Sequence, residues 1–275
     1  MSRTPPAASP PAPTRGLPLA TALLVLTFAT VTGCGGGHGT LVVGVRPERP
    51  GLADRLPTGG YAGFEIDVAG YVARRLGYRD DQVSYVELGP TDGGRADLTM
   101  GVPLAKGQTA GGPLSGPYLV SGQDILTSAN DLSVRRLKDL TQKRVCTGSP
   151  GPLVSRFGVA WQRAFLITST VKDCVRMLAA RRVNAVTDDA VVLAGLAGAS
   201  PGRFRLVGHT FSRDKYGIAL RADSGDLHAQ VDEALRTMFG DGSWRRAVIE
   251  HLGLLAAKYA TPPALEKYSG TRSAP

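Results

Sequence analysis

Histidine and cysteine are scarce in this chain, with four His and three Cys among 275 residues. His38, His209, His228 and His251 lie far apart, and no Cys or His pair has the spacing of a zinc motif. The sequence therefore calls for no metal and no cofactor. It contains no phosphate-binding glycine loop or dinucleotide fingerprint, and no internal repeat divides it. Long runs of one charge are missing too. The formal net charge is +9, yet arginine comes only in short pairs such as Arg74-Arg75, Arg135-Arg136, Arg181-Arg182 and Arg245-Arg246. Without basic runs or interleaved aromatics there is no nucleic-acid surface. The basic balance fits a solvated exterior facing anionic envelope polymers. The apolar run over 16–31 is short for a membrane span.

What is present at the N-terminus is more specific. Arg3 and Arg15 flank a Pro- and Ala-rich stretch, the uncharged run follows, and it ends in Val31-Thr32-Gly33-Cys34. This is the layout of a secretory signal. Its end resembles the bacterial lipobox, in which the cysteine is lipidated and becomes the new N-terminus. Residues 1–33 are expected to be a lipoprotein signal peptide, Cys34 the lipidation site, and 34–40 a glycine-rich tether. A lipid anchor on such a tether holds a globular body at the outer face of the cell membrane. Cys146 and Cys174 remain, and an even pair in an exported chain points to a disulfide, with two buried thiols as the alternative.

Apolar periodicity organises the rest. It predicts strands at 41–45, 82–88, 96–100, 118–127, 143–146, 165–170, 183–186, 204–208 and 216–220. Helices are predicted over 63–76, 171–182, 190–198, 227–239 and 243–252, with a helical turn at 137–140. Asp67 is placed to cap the first of these, and Ser149-Pro150 is a good helix N-terminus. Strands alternating with helices predict an α/β protein with largely parallel sheets. The polar, proline-containing residues 260–275 read as a disordered tail. The acidic pair Asp188-Asp189 sits where a strand meets an apolar helix. One of the two can simply N-cap that helix, which local sequence favours, or it can hold a ligand at the C-terminal end of a strand.

Several segments in order carry a resemblance. They include Gly63-Phe64-Glu65-Ile66-Asp67, Gly116-Pro117-Tyr118, Asp173-Cys174, the stretch 184–195, Tyr216-Gly217-Ile218-Ala219-Leu220 and Asp241-Gly242-Ser243-Trp244. Over nearly all of 41–253 the chain resembles the type II (family 3) solute-binding proteins of ABC importers, most nearly the glutamate-binding lipoproteins of Gram-positive bacteria. The resemblance implies a two-lobed periplasmic-binding-protein type II fold, with two hinge strands joining α/β lobes. Lobe one would be 41–121 with 216–259, and lobe two 124–211, with hinges near 121–124 and 211–216. It also implies a monomer that closes around an amino acid or amine and docks on a permease. Asp189 matches the family's ammonium-binding aspartate, which turns the preference away from a cap alone, and the close subgroup pairs cysteines at 146 and 174.

The family's carboxylate clamp is not matched. Gln108 stands where its arginine is expected, beside Lys106, and no arginine lies between Arg95 and Arg135. The second carboxylate contact reads Gly148-Ser149-Pro150, with a hydroxyl and one N–H gone. Losing a bidentate arginine costs a few kcal/mol, so ordinary glutamate binding is expected to be weak or absent. Arg46, Arg49 or Lys106 could supply the missing charge; otherwise the ligand lacks an α-carboxylate. The candidate ligand contacts are therefore Asp189, Ser149, Gly148, Gln108, Lys106, Arg49 and Arg46. The alternative to import is a receptor, sensor or assembly lipoprotein with a degenerate site. A dehydratase-like enzyme on this fold would need positioned acid/base groups that the cleft segments lack.

Overall fold

Two five-stranded sheets, joined by two passages of chain, form the frame of the computed structural model. It describes residues 39–47, 49–89, 95–105, 112–148, 150–151, 153–154, 158, 165–168 and 170–268. The elements in order are β1 (Leu41–Val45), β2 (Asp54–Arg55), β3 (Tyr61–Ala62), α1 (Phe64–Arg75), β4 (Val83–Glu87), β5 (Leu98–Pro103), β6 (Leu114–Ser121) and β7 (Gln123–Ser128). There follow β8 (Val145–Thr147), β9 (Phe165–Ile167), α2 (Val171–Ala179), β10 (Ala185–Asp189), α3 (Ala190–Gly198), β11 (Phe204–Leu206), β12 (Asp214–Leu220), α4 (Leu227–Gly240) and α5 (Ser243–His251).

The first sheet has the order β4-β1-β5-β12-β6 and the second β11-β7-β10-β8-β9. The chain leaves the first sheet on β6, passes Gly122 and enters the second on β7. It returns from β11 to β12. The sheets are mixed, not largely parallel. β1 pairs parallel with β4 and β5, and β8 with β9 and β10. The crossing strands pair antiparallel, β12 with β5 and β6, and β7 with β10 and β11. The cause is topological: the outgoing and returning passages run in opposite directions, and each adds antiparallel neighbours to both sheets.

Leu41, Val43, Leu98 and Met100 of the first sheet are buried against Phe64, Val68 and Val72 of α1 and Trp244 and Val248 of α5. Helix α3 differs from these one-sided helices. Its Ala190, Val191, Val192 and Ala194 pack into the core of the first sheet. Its Leu193 and Ala197 pack with Leu126 and Val186 of the second sheet and Leu178 of α2. A helix buried on both sides is apolar all round, which accounts for the unbroken run from Ala190 to Gly198. At Gly195 a Cβ would lie 2.5 Å from the Pro50 carbonyl oxygen, so only glycine lets the helix approach the loop after β1 this closely.

Two local expectations change. Gly63, not Asp67, is the N-cap of α1, and Asp67 instead reaches His251 Nε2 at 2.8 Å. Residues 260–268, read as disordered, lie along the first sheet. Glu266 N–H donates to the Gly116 carbonyl at 2.8 Å, Lys215 Nζ is 2.6 Å from Glu266 Oε1, and Tyr268 covers Val102, Leu104, Leu114 and Ala219. A few apolar and ionic anchors are enough to fix a polar segment whose composition alone says nothing of order. Among the described residues no helix is long and apolar enough to cross a membrane.

Cys146 on β8 and Cys174 on α2 are disulfide-bonded, with Cα atoms 5.4 Å apart and a sequence separation of 28 residues. Closing a loop of that length restricts the unfolded chain by about 3–4 kcal/mol in the chain-entropy account. Replacing both cysteines with Ser is expected to lower stability in urea unfolding by roughly that amount. An unchanged midpoint would show that the bridge contributes nothing.

Candidate functional site

The pair Asp188-Asp189 ends β10, and Asp189 is the N-cap of α3, its Oδ1 accepting from Val191 N–H at 2.8 Å. The capping role is real, and it is not the whole role. Ser121 Oγ, at the end of β6, donates to the same Oδ1 at 3.0 Å, and Tyr216 Oη, on β12, donates to Oδ2 at 2.8 Å. Tyr259 Oη in turn donates to Ser121 Oγ at 3.2 Å. A carboxylate of the second sheet is thus held by hydroxyls of the first. Asp189 is 3% exposed. Burial pushes its carboxyl upward, while donation by Tyr216 and the charge of Arg49 work the other way.

Arg49 supplies the nearby positive charge. Its Nη1 donates to Glu65 Oε1 at 2.9 Å, and its guanidinium carbon lies 5.0 Å from the centre of the Tyr216 ring. Burial works against that charge, but Glu65, with Tyr216, Tyr118 and Asp189, more than restores it, so the guanidinium is held protonated more firmly than an ordinary arginine. Glu65, in the first turn of α1, is fully buried. It also accepts from Tyr118 Oη at 2.9 Å, and Tyr118 Oη accepts from Gly101 N–H at 2.7 Å. Gly101 has φ 68°, and a Cβ there would lie 2.4 Å from Arg49 Nη1 and 2.9 Å from Glu65 Oε1. Glycine at 101 is what leaves room for the ion pair.

The structure therefore brings Asp189 and Arg49 together across Tyr216. Arg46 is half-buried and donates from Nη1 to the Gly101 carbonyl at 3.3 Å, alongside the pair. Gly148 lies next to Asp188: a Cβ on it would be 3.4 Å from Asp188 Oδ2. Lys106, Gln108, Ser149 and Cys34 lie outside the described residues. Sequence reading missed Glu65, Ser121, Tyr118 and Tyr216. A signal existed for Glu65, because a carboxylate between Phe64 and Val68 on the apolar face of α1 needs a cationic partner. Tyr216 was legible only as part of a strand. The arrangement can exchange charged hydrogen bonds with a small molecule carrying an ammonium and a carboxylate. His228 Nε2 contacts the Leu114 carbonyl at 3.1 Å and His251 contacts Asp67, so neither forms an acid/base pair with Asp189.

No family model matches the chain. It is similar to the glutamate-binding protein GluB of Corynebacterium efficiens, 30% identical over 270 residues, covering 86% of this chain and 90% of that one. It is also similar to the L-cystine-binding protein TcyJ of Escherichia coli, 26% identical over 223 residues, covering 75% and 80%. Among solved structures it resembles an ancestral arginine-binding protein bound to glutamine, with TM-score 0.65 and 27% identity over 78% of this chain and 99% of that one.

Asp188 carries a consequence for stability. It is 8% exposed, and burial pushes its carboxyl from 3.8 up to about 6, with the neighbouring Asp189 charge adding to the rise and the N–H of Asp189 opposing it. Because the folded pKa is raised, the folded state keeps a proton that the unfolded chain has lost between these values. Stability from this group is therefore full below about pH 4 and declines as pH rises through about 6. Asp188→Asn is expected to gain at most about 3 kcal/mol near pH 7.5 and nothing below pH 4, read by urea unfolding at both pH values. An equal change at the two would remove Asp188 as the cause.

Proposed function

The chain belongs to the type II (family 3) extracellular solute-binding proteins, related to glutamate- and arginine-binding members, and on that premise we propose that it captures a small amino-acid-like ligand between its two lobes and hands it to the permease of an ABC importer. The family is one of binding proteins and not of enzymes. One observation carries the reading: Tyr216 donates from its hydroxyl to the buried carboxylate of Asp189, and the Arg49 guanidinium lies over the ring of the same tyrosine.

Asp189 would take the ligand's ammonium and Arg49 its carboxylate, by charge-assisted hydrogen bonds. Arg49 comes from the loop after β1 and would supply the charge of the clamp arginine that the sequence lacks at 108. The Tyr216 hydroxyl stands in for the ammonium and moves off as the ligand enters. Curated relatives are named for glutamate and for cystine, and the solved structure holds glutamine in an arginine-binding protein. A cleft with a relocated clamp fits that breadth better than it fits glutamate alone. The chain would be extracytoplasmic, as the disulfide supports, and anchored through a lipid on Cys34.

The closed hydrogen bonding of Asp189 favours a second reading, in which the chain is a non-transporting receptor whose lobes stay shut without ligand. The two diverge in a thermal-shift panel of amino acids and amines on the full chain. Import predicts that some amino acid at a hundred times its Kd adds about 2.7 kcal/mol, that Asp189→Asn abolishes this response, and that Tyr216→Phe keeps or strengthens it. A folded Asp189→Asn variant with an undiminished response would return Asp189 to the role of a cap. A response to micromolar glutamate would overturn the expectation that glutamate binds weakly. Cys34→Ser is expected to move the protein from the membrane fraction to the medium, and continued retention would sink the lipid anchor.

A further inference from the structure

Asp67, Glu250 and His251 bring three metal-ligating side chains together where α1 meets the end of α5. One ligand atom from each lies within 4.8 Å of the others. None of them takes part in the cleft network. We propose that this trio binds one divalent transition-metal ion of zinc's class and ties the first helix of the lobe to its last.

The donor set supports that class. One imidazole and two carboxylates suit zinc and its neighbours, whereas calcium and magnesium take more oxygen ligands and no imidazole. Geometry asks for little movement. In a tetrahedral site with bonds of about 2.0–2.1 Å the ligand atoms stand about 3.3 Å apart. His251 Nε2 and Asp67 Oδ2 are now 2.8 Å apart, so an ion parts them by about half an ångström. Asp67 stays half-buried and His251 mostly covered, while Glu250 is exposed and free to swing in.

A route to the two carboxylates is also present. A cavity of about 440 Å³ is lined by Asp67, Tyr71, Arg74, Arg246 and Glu250 among others. The two arginines that could compete for the carboxylates are engaged elsewhere: Arg74 pairs with Asp80 at 3.3 Å, and Arg246 donates to Ser243 Oγ at 2.7 Å. The site reaches toward the cleft through the backbone. A Cβ on Gly51 would lie 2.9 Å from the His251 carbonyl oxygen, so the loop that carries Arg49 rests on the end of α5. An ion there would stiffen the platform beneath Arg49 without touching the ligand.

The test is a titration of the full chain, stripped with chelator, with zinc chloride by calorimetry and thermal shift. The proposal expects one ion per chain and a raised Tm. His251→Ala should weaken binding roughly tenfold or more. Glu250→Gln, at an exposed position that leaves folding intact, should weaken it measurably. Asp189→Asn should leave zinc affinity unchanged, which separates this site from the cleft. No saturable binding, zinc affinity retained in both His251→Ala and Glu250→Gln, or calcium binding as tightly as zinc would each overturn it.

Discussion

A mostly covered cation, Arg49, sets the terms for the region between the sheets. Its guanidinium is anchored on Glu65, stacks on Tyr216 and feels the charge of Asp189. Taking such a charge out of water costs several kcal/mol unless partners surround it. The partners here come from four places: the first turn of α1, the end of β10, the return strand β12, and the glycine at 101 that leaves the space. Disturb one and the others are left as uncompensated buried polar groups, which cost more than the bond that was lost. The loop after β1 is thereby fixed by electrostatics in addition to the fully buried Leu52 and Ala53.

The same region is closed by a second, apolar constraint. Helix α3 begins at Asp189 and buries one side against each sheet, so the carboxylate and the helix dock as a unit. The N–H of Val191 orients the carboxylate, and the positive end of the helix favours its ionised form. Gly195 lets the Pro50 backbone come up against the helix, which brings Arg49 within reach of Asp189's field. Polar and apolar contacts therefore close the lobes together, and neither does so alone.

Much of this frame was legible in the sequence. α1, β4 and α5 carry clear periodicities, β1 and α3 are marked by unbroken apolar runs, and the ordered segments from Gly63 to Trp244 carried the family. Other features escaped for physical reasons. Strand direction in the crossing strands depends on how the chain returns, which periodicity does not record. Residues 260–268 are held by Glu266 and Tyr268, two contacts with no local signature. In the site, a strand-to-helix junction marked the pair 188–189, and the family resemblance singled out Asp189 from it. Arg49 could be named only as one of several cations. Its partner Glu65 lies 16 residues away, and although a carboxylate on the apolar face of α1 calls for a cation, nothing local says which one.

That pairing changes the meaning of the missing clamp. On the proposed reading, a zwitterion entering this cleft would not meet a vacant carboxylate: it would displace the Tyr216 hydroxyl and share an arginine already bound to Glu65. The free energy of capture is then the difference between two sets of hydrogen bonds, not the full worth of either. The Tyr216 bond to the carboxylate is itself charge-assisted, so an incoming ammonium would gain only the added attraction of its charge less its desolvation, which is less than in a cleft whose carboxylate waits open. On that reading a ligand would have to match Asp189 and Arg49 at once to gain anything over the hydrogen bonds the protein already makes for itself.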